Sequence, residues 1–348
     1  MTRHDALFAA IEADPSPIIE MAIDRLILDR GRPTTKSEST LRFGRKGSLW
    51  IDRVTGDWHD WENDLGGGSW KLALYVGLTV DDIAALYDLE PNGGLDAARL
   101  KELREAADRR QRELATAKAV RRRRRRVEAE RLWAEAAVAA RDDPAGRYLI
   151  SRGLNDLTGI GYHPGPVIRM RGGRERKLAP SALFAVTDCQ GELCAVHGVQ
   201  LEAATGRRLS GHRAKISIGN LRDGYVRFGP PADLVCLGEG PETVASVHEV
   251  APAWRCLVAC SSIRVVDMDP DLGKAETILL LTDRGMEAKV RETGQTLAET
   301  FPKADIVMAT PPLETPGEKA DMNDVLRMSP ALLRQALSPD RLERLTDR

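Results

Sequence analysis

From Asp233 onward the chain is written in short, continuous apolar runs separated by helical segments, and two of these four runs end at an acid. DLVCLGEG (233–240) precedes PETVASVHEV (241–250), RCLVACSS (255–262) and ETILLLTD (276–283) follow, and GMEAKVRETGQTLAETF (285–301) leads into ADIVMAT (304–310). Apolar strands that do not alternate with polar residues must be buried on both faces. With helices between them they predict a parallel sheet, in which ligands bind beyond the C-terminal strand ends. Glu239 closes the first strand and Asp283 closes another, and after the last strand the loop runs into Lys319-Ala-Asp321-Met-Asn323-Asp324-Val-Leu326. A single such acid reads as a helix N-cap or a surface charge. Three acidic clusters at the exits of one sheet instead make an oxygen-ligand site for Mg²⁺ or Mn²⁺, ions that take one or two carboxylates together with water and substrate phosphates. Phosphoryl transfer is the chemistry such a site serves.

The rest of the chain divides by composition into an α/β, multi-domain protein. Residues 1–30 read as helical, and Leu41 to Trp61 alternates apolar and polar residues around Gly47 and Gly56, predicting short antiparallel strands. Gly66, Gly67 and Gly68 turn this module, residues 1–90, into an apolar helix at Trp70 to Gly77. Leu95 to Ala140 contains no Pro or Gly and predicts one long helix, the connector of residues 91–142. The formal net charge of -1 hides a segregation, because residues 101–130 carry twelve Lys/Arg against six Asp/Glu. Arg121, Arg122, Arg123, Arg124, Arg125 and Arg126 are consecutive, point in every direction on a helix, and read either as a solvated surface or as a phosphate-binding segment. Residues 143–231 open on a short helix, Pro144 to Leu154, and continue as a meandering antiparallel sheet through SALFAVTD, GELCAVHGVQLEA and AKISIG. Residues 232–348 hold the parallel sheet.

Five cysteines, Cys189, Cys194, Cys236, Cys256 and Cys260, form no CxxC pair and suit buried thiols in a reducing compartment. No apolar run approaches the ~18–20 residues of a membrane span, and the N-terminus lacks the basic-then-apolar pattern of a secretory signal. The expectation is a cytoplasmic protein with no membrane partner and no zinc.

Gly238-Glu239-Gly240 with Glu242, the Thr282-Asp283 strand end, and Lys319-Ala-Asp321-Met-Asn323-Asp324-Val-Leu326 resemble the motifs of a Toprim domain. The last of these is similar to the DxNDxL of Toprim primases carried by plasmids, phages and other mobile elements. Pro144 to Leu154 resembles the segment that opens the catalytic core of those primases, and Lys215-Ile-Ser-Ile-Gly219 resembles the basic strand before their Toprim domain. Residues 43–74 resemble the zinc-binding module of DnaG-type primases. The metal ligands of that module are missing, since only His59 lies there and no cysteine precedes Cys189. The module is then expected to hold together through core residues such as Phe43, Leu49, Trp58 and Trp61.

The resemblance implies a DNA primase working with Mg²⁺ or Mn²⁺ on single-stranded DNA and nucleoside triphosphates. Glu239 and Asp283 are then catalytic, and Glu239, Asp283, Asp321 and Asp324 are the metal ligands. Lys215, Arg208, Arg213 and the run Arg121 to Arg126 face nucleic acid or nucleotide phosphates, with Arg207 and His212 extending that surface. The family pattern has Asp-x-Asp followed by Gly, whereas this chain reads Asp283-Arg284-Gly285-Met286-Glu287. The second aspartate is absent, so a second metal would need Glu287, Asp321 or Asp324, and Arg284 becomes a candidate phosphate ligand. That departure keeps two alternatives open, a catalytically weak or inactive nucleic-acid-binding relative and a Toprim nuclease. The chain has no GxxxxGK[ST] loop, so a replicative helicase would be a separate partner.

Overall fold

The computed structural model describes residues 3–36, 39–44, 47–89, 97–169, 175–211, 214–263 and 269–345. The chain divides into two compact units, 1–119 and 120–348, with the division falling inside one long helix.

The first unit opens with α1 (Arg3–Ala13) and α2 (Ser16–Arg30). On α2, Ile18, Ala22 and Leu26 recur every four residues and are buried, which gives the helix one apolar stripe. An antiparallel meander follows: β1 (Thr35–Lys36), β2 (Thr40–Phe43), β3 (Leu49–Asp52), β4 (Trp58–Asp60) and β5 (Leu65–Gly67). Side chains alternate across a strand, so Leu41, Phe43, Leu49, Ile51 and Trp58 turn inward onto one core with Ala22, Leu26 and Leu72. The register sets a second row on the opposite face, with Arg42 across from Trp50 and Trp50 across from His59. Trp61 does not belong to the core as expected. It is 64% exposed and meets His59 in a tilted contact with ring centroids 4.0 Å apart, because the strand's alternation puts it on the face opposite Trp58, while its N–H still bonds to Ser48 O at 3.1 Å. Gly56 makes the β3–β4 turn at φ +74° and lies so close to Ser69 that a Cβ would collide with its hydroxyl.

Within this unit Asp60 is fully buried and accepts hydrogen bonds from Tyr75 Oη (2.6 Å), Asn63 Nδ2 (2.9 Å), Glu62 N (3.0 Å) and Arg30 Nη2 (3.2 Å). Burial alone would raise its pKa. The hydrogen bonds from Tyr75, Asn63 and Glu62, with the charge of Arg30, outweigh burial and hold it at about 2. The unit continues through α3 (Ser69–Tyr75), α4 (Val80–Leu86) and the first part of α5 (Ala97–Glu135). Thr79 and Asp82 close a capping box on α4.

The second unit takes up the rest of α5 and carries β6 (Ala137–Val138), α6 (Pro144–Ser151), β7 (Ile160–His163), β8 (Val167–Arg169), β9 (Glu175–Lys177), β10 (Ser181–Thr187), β11 (Leu193–Gln200) and β12 (Lys215–Gly219). Asp143 caps α6 through the N–H of Gly146. The sheet β12-β11-β10-β7-β6 is antiparallel throughout. One of its faces, with Leu183, Val196 and Ile216, packs on Ala129 of α5. The other, with Ala182, Phe184, Ala195 and Val199, shares a core with the sheet that follows.

That second sheet contains β13 (Val226–Phe228), β14 (Leu234–Gly238), β15 (Arg255–Val258), β16 (Thr277–Leu281), β17 (Asp305–Ala309) and β18 (Glu343–Arg344), in the order β13-β15-β14-β16-β17-β18. The four central strands are parallel, as the apolar runs predict, and the edge strands β13 and β18 pair antiparallel. α7 (Pro241–Val250), α10 (Met322–Met328) and α11 (Pro330–Ala336) contribute to the core on one face, over Cys236, Val258, Leu279 and Ala309. α8 (Pro270–Lys274) and α9 (Glu287–Thr300) cover the other, over Val235, Leu257, Leu280 and Ile306. Each fully buried Val, Leu or Ile contributes about 1.5–3 kcal/mol, so a sheet buried on both faces is a rigid platform for the loops at its edge. Of the cysteines, Cys194, Cys236 and Cys256 are buried as expected, Cys260 is half-buried, and Cys189 lies exposed in the β10–β11 turn. No helix among the described residues is long and apolar enough to cross a membrane.

Candidate active site

β14 has β15 on one side and β16 on the other, so the sheet reverses its winding between β14 and β16. Open parallel sheets bind ligands at such a switch point. Leu237 pairs with Leu280 in parallel register, and Glu239 and Asp283 therefore leave neighbouring strands at the same edge. A small cleft lies there, lined by both acids together with Thr243, Thr282, Met286 and Lys289.

Asp321 reaches the same neighbourhood from the loop after β17. Asp283 is pushed up to about 6, first by desolvation and then by the negative charges of Asp321, Glu239 and Asp324, against the pull of Lys215. Asp321 is also raised, by its own burial and by Asp324, although N–H bonds from Asp324 and Asn323 and the charge of Arg152 pull it down. The four predicted acids thus form one field of unneutralised negative charge, which is the condition a divalent cation relieves. Their donor set is all oxygen and suits Mg²⁺ or Mn²⁺. Among the described residues no three His, Cys, Asp or Glu side chains are grouped closely enough to enclose an ion by themselves. The fit is to an ion held by one or two carboxylates and completed by water or phosphate oxygens.

Asp321 and Asp324 have a second occupation. Asp321 Oδ1 accepts from the N–H groups of Asn323 (2.8 Å) and Asp324 (3.0 Å), and Asp324 returns a bond to Asp321 N, a capping box that starts α10. Asp321 Oδ2 accepts from Thr243 Oγ1 at 3.2 Å. Glu287 stands at the first position of α9 and accepts from Gly285 N at 3.0 Å, so its carboxylate closes the preceding turn. Gly285 itself sits at φ +85° with open space where a Cβ would be.

The basic candidates separate. Lys215 is exposed on β12, and its charge is felt at Asp283 and at His197. Arg208 is exposed and also acts on His197, whereas Arg213 and His212 lie outside the described residues. Arg284 has another task than the expected phosphate contact. Its guanidinium donates to the carbonyls of Pro312 (2.6 Å), Thr315 (2.8 Å) and Gly317 (2.9 Å), holding the loop that delivers Asp321. In the arginine run, Arg122 pairs with Asp223 at 2.7 Å, and Arg126 pairs with Glu130, Asp188 and Glu192. Arg121, Arg123 and Arg124 are exposed without such partners among the described residues, and Arg125 is lowered by desolvation and by Arg121 beside it.

A family model described as a Toprim domain matches residues 234–331. This region holds β14 to β17 together with Glu239, Asp283, Asp321 and Asp324. Residues 123–228 match a second family model, described as a domain of unknown function (DUF7146). No curated protein matches the chain. Among solved structures it is similar to the zinc-binding and RNA polymerase domains of the Aquifex aeolicus primase, at 12% identity over 94% of this chain and 86% of that one, with a TM-score of 0.46. It is also similar to the RNA polymerase domain of Mycobacterium tuberculosis primase DnaG, at 16% identity over 64% and 85% of the two chains, with a TM-score of 0.45. A DnaG primase catalytic domain bound to ssDNA stands at 12% identity over 65% and 84%, with a TM-score of 0.46.

Several residues at the Toprim site were not singled out from the sequence. Thr243, Lys289 and Asn323 belong to helices whose starts were read only for their acids. His197 sits in an apolar strand, where a lone histidine is an unusual residue to bury. Its Nδ1 lies 3.2 Å from Ser217 Oγ, its Nε2 has no partner, and burial with the nearby charge of Lys215 pushes it down to about 4.

Proposed function

We propose that the chain is a primase-like nucleotidyltransferase that joins nucleotides on single-stranded DNA at the Toprim acids. The observation that carries this reading is the raised Asp283 at the switch point, surrounded by Glu239, Asp321 and Asp324. Asp283 and Asp321 would hold the divalent ion, with Asp324 as a further oxygen donor. When bound, Mg²⁺ or Mn²⁺ supplies the charge that neutralises the triphosphate and the departing pyrophosphate. Glu239 accepts the proton of the primer 3′-hydroxyl. The 3′-oxygen bonds to the α-phosphorus, the bond from that phosphorus to its bridging oxygen breaks, and pyrophosphate leaves with the electron pair. Lys215 draws the phosphates toward the acids.

The direct test is incorporation of labelled nucleotides on single-stranded DNA with Mg²⁺ or Mn²⁺. Metal-dependent product is expected. No product with either metal, while single-stranded DNA is still bound, would leave a binding module as the working account. That second reading is favoured by Gly285 and by the use of Asp321 and Asp324 in a helix cap.

Two surfaces suit a single strand. Exposed Arg121, Arg123 and Arg124 offer phosphate contacts, and in the first unit the row Arg42, Trp50, His59 with the neighbouring Trp61 offers ring faces to bases. Trp61→Ala is expected to weaken single-stranded DNA binding about tenfold, corresponding to the ~1–3 kcal/mol of a stacked base, without moving the melting temperature. Replacing Arg123 and Arg124 with Gln is expected to flatten the slope of log affinity against log salt by about 0.7 per lost phosphate contact. An unchanged slope in that titration would remove the helix from the binding surface.

A further inference from the structure

Between the Toprim acids and the first helix of the preceding region lies a buried chain of hydrogen bonds. Tyr148 Oη on α6 donates to Glu242 Oε1 on α7 at 2.6 Å, with both side chains buried. One turn along α7, Ser246 Oγ donates to the Glu242 carbonyl at 2.7 Å and accepts from Asn323 Nδ2 at 2.9 Å. The same Nδ2 donates to the carbonyl of Arg152, at the end of α6, at 2.7 Å. A carbonyl can only accept, so the Arg152 contact fixes which end of the Asn323 amide faces it, and with it the direction of the Asn323–Ser246 bond. Asn323 Oδ1 is buried without a partner among the described residues, and the two Nδ2 bonds hold the amide. Asn323 lies between Asp321 and Asp324, and its own N–H is bonded to Asp321 at 2.8 Å. From α7, Thr243 Oγ1 reaches the other oxygen of Asp321.

We infer that Tyr148, Thr243 and Asn323 are positioning residues for the divalent cation. They lock α6, α7 and α10 together and so fix the distance between the Glu239 loop, which opens α7, and Asp321, which opens α10. This inference rests on the proposed use of those acids as metal ligands. Groups that hydrogen-bond to ligating carboxylates or fix their backbone set the orientation of the oxygens, and their loss typically weakens metal binding by about 10–100-fold. Glu242 enters the arrangement as the buried acceptor that orients Tyr148.

The test is Mn²⁺ binding by electron paramagnetic resonance to the full chain, beside single-stranded DNA affinity and melting temperature, for wild type, Asp283→Asn, Tyr148→Phe and Thr243→Val. Tyr148→Phe removes one hydroxyl, and Thr243→Val exchanges one hydroxyl for a methyl group, so both are conservative enough to fold. The expected result is a Mn²⁺ dissociation constant raised about tenfold in both, with single-stranded DNA affinity unchanged. A lowered melting temperature with an unmoved Mn²⁺ constant would overturn the inference and leave these residues as packing alone. Wild-type binding that Asp283→Asn does not weaken would remove the acids as ligands, and the inference with them. Tyr148 and Thr243 effects on Mn²⁺ without any primer synthesis would uphold the inference and sink the proposed reaction.

Discussion

Asp283→Asn is expected to reduce metal-dependent nucleotide incorporation on the order of a thousandfold, and at the same time to stabilise the metal-free protein at pH 8. The two effects share one cause. The Asp283 carboxyl is pushed up to about 6 by desolvation and by Asp321, Glu239 and Asp324, so its charged form is disfavoured in the folded state. A group raised in this way contributes stability fully below its ordinary value of 3.8 and loses that contribution as pH rises through about 6. At pH 8 wild type therefore carries a penalty that Asn does not. The residue as a whole is exposed, so solvent screens part of this effect and the penalty is about 1 kcal/mol, or roughly 2–4 °C in the transition of a unit this size. Added Mn²⁺ should reverse the order, stabilising wild type by binding only its folded form and leaving the variant unmoved. Glu239→Gln, tested in the same incorporation assay, is expected to lose activity by about 10²–10⁴-fold, as removal of a proton acceptor does. A variant as active as wild type, or one stabilised equally by Mn²⁺, would take Asp283 out of the site.

The Toprim sheet was legible because two strong patterns coincide there. Apolar strands such as Leu234–Gly238 and Thr277–Leu281 stop beside acids, and a parallel sheet necessarily gathers such strand ends at one edge. The edge strands Val226–Phe228 and Glu343–Arg344 were not legible, since three- and two-residue segments carry no periodicity. Trp61 was misplaced because three residues separate it from Trp58, so the alternation puts the two rings on opposite faces of the sheet and only one of them can enter the core. The tasks of Arg284 and Asn323 depend on carbonyls of residues 312–317 and 152. Such partners leave no trace in local sequence, because a backbone acceptor has no residue identity. His197 did leave a trace, as a polar ring in an apolar strand, but its surroundings come from β12 and α7.

The first unit should depend on Asp60 more than on any one apolar side chain. Asp60→Ala is expected to cost about 3–5 kcal/mol, because it leaves the Arg30 guanidinium without its buried carboxylate and strips Tyr75 and Asn63 of their acceptor. Against a typical domain stability of about 5–15 kcal/mol, that loss should lower the melting temperature of this unit by more than about 10 °C and open its strands to limited proteolysis. Tyr75→Phe keeps the charge pair but removes two hydrogen bonds, the one Tyr75 donates to Asp60 and the one it accepts from Arg30, so a milder cost of about 1–3 kcal/mol is expected. The acid titration has the opposite sign to that of Asp283. Asp60 is held at about 2, so its contribution is present above 3.8, is lost as pH falls through about 2, and amounts to about 2 kcal/mol. The same carboxylate joins α2, β4 and α3, three elements whose apolar residues meet in one small core. A module of this size with few buried side chains needs a cross-link of some kind, and Asp60 supplies with hydrogen bonds what many small folds obtain from a metal. Chelator should then leave the transition of this unit unmoved while Asp60→Ala collapses it. An Asp60→Ala protein that melts with wild type, or a wild-type unit that chelator unfolds, would show that something other than this carboxylate holds the strands together.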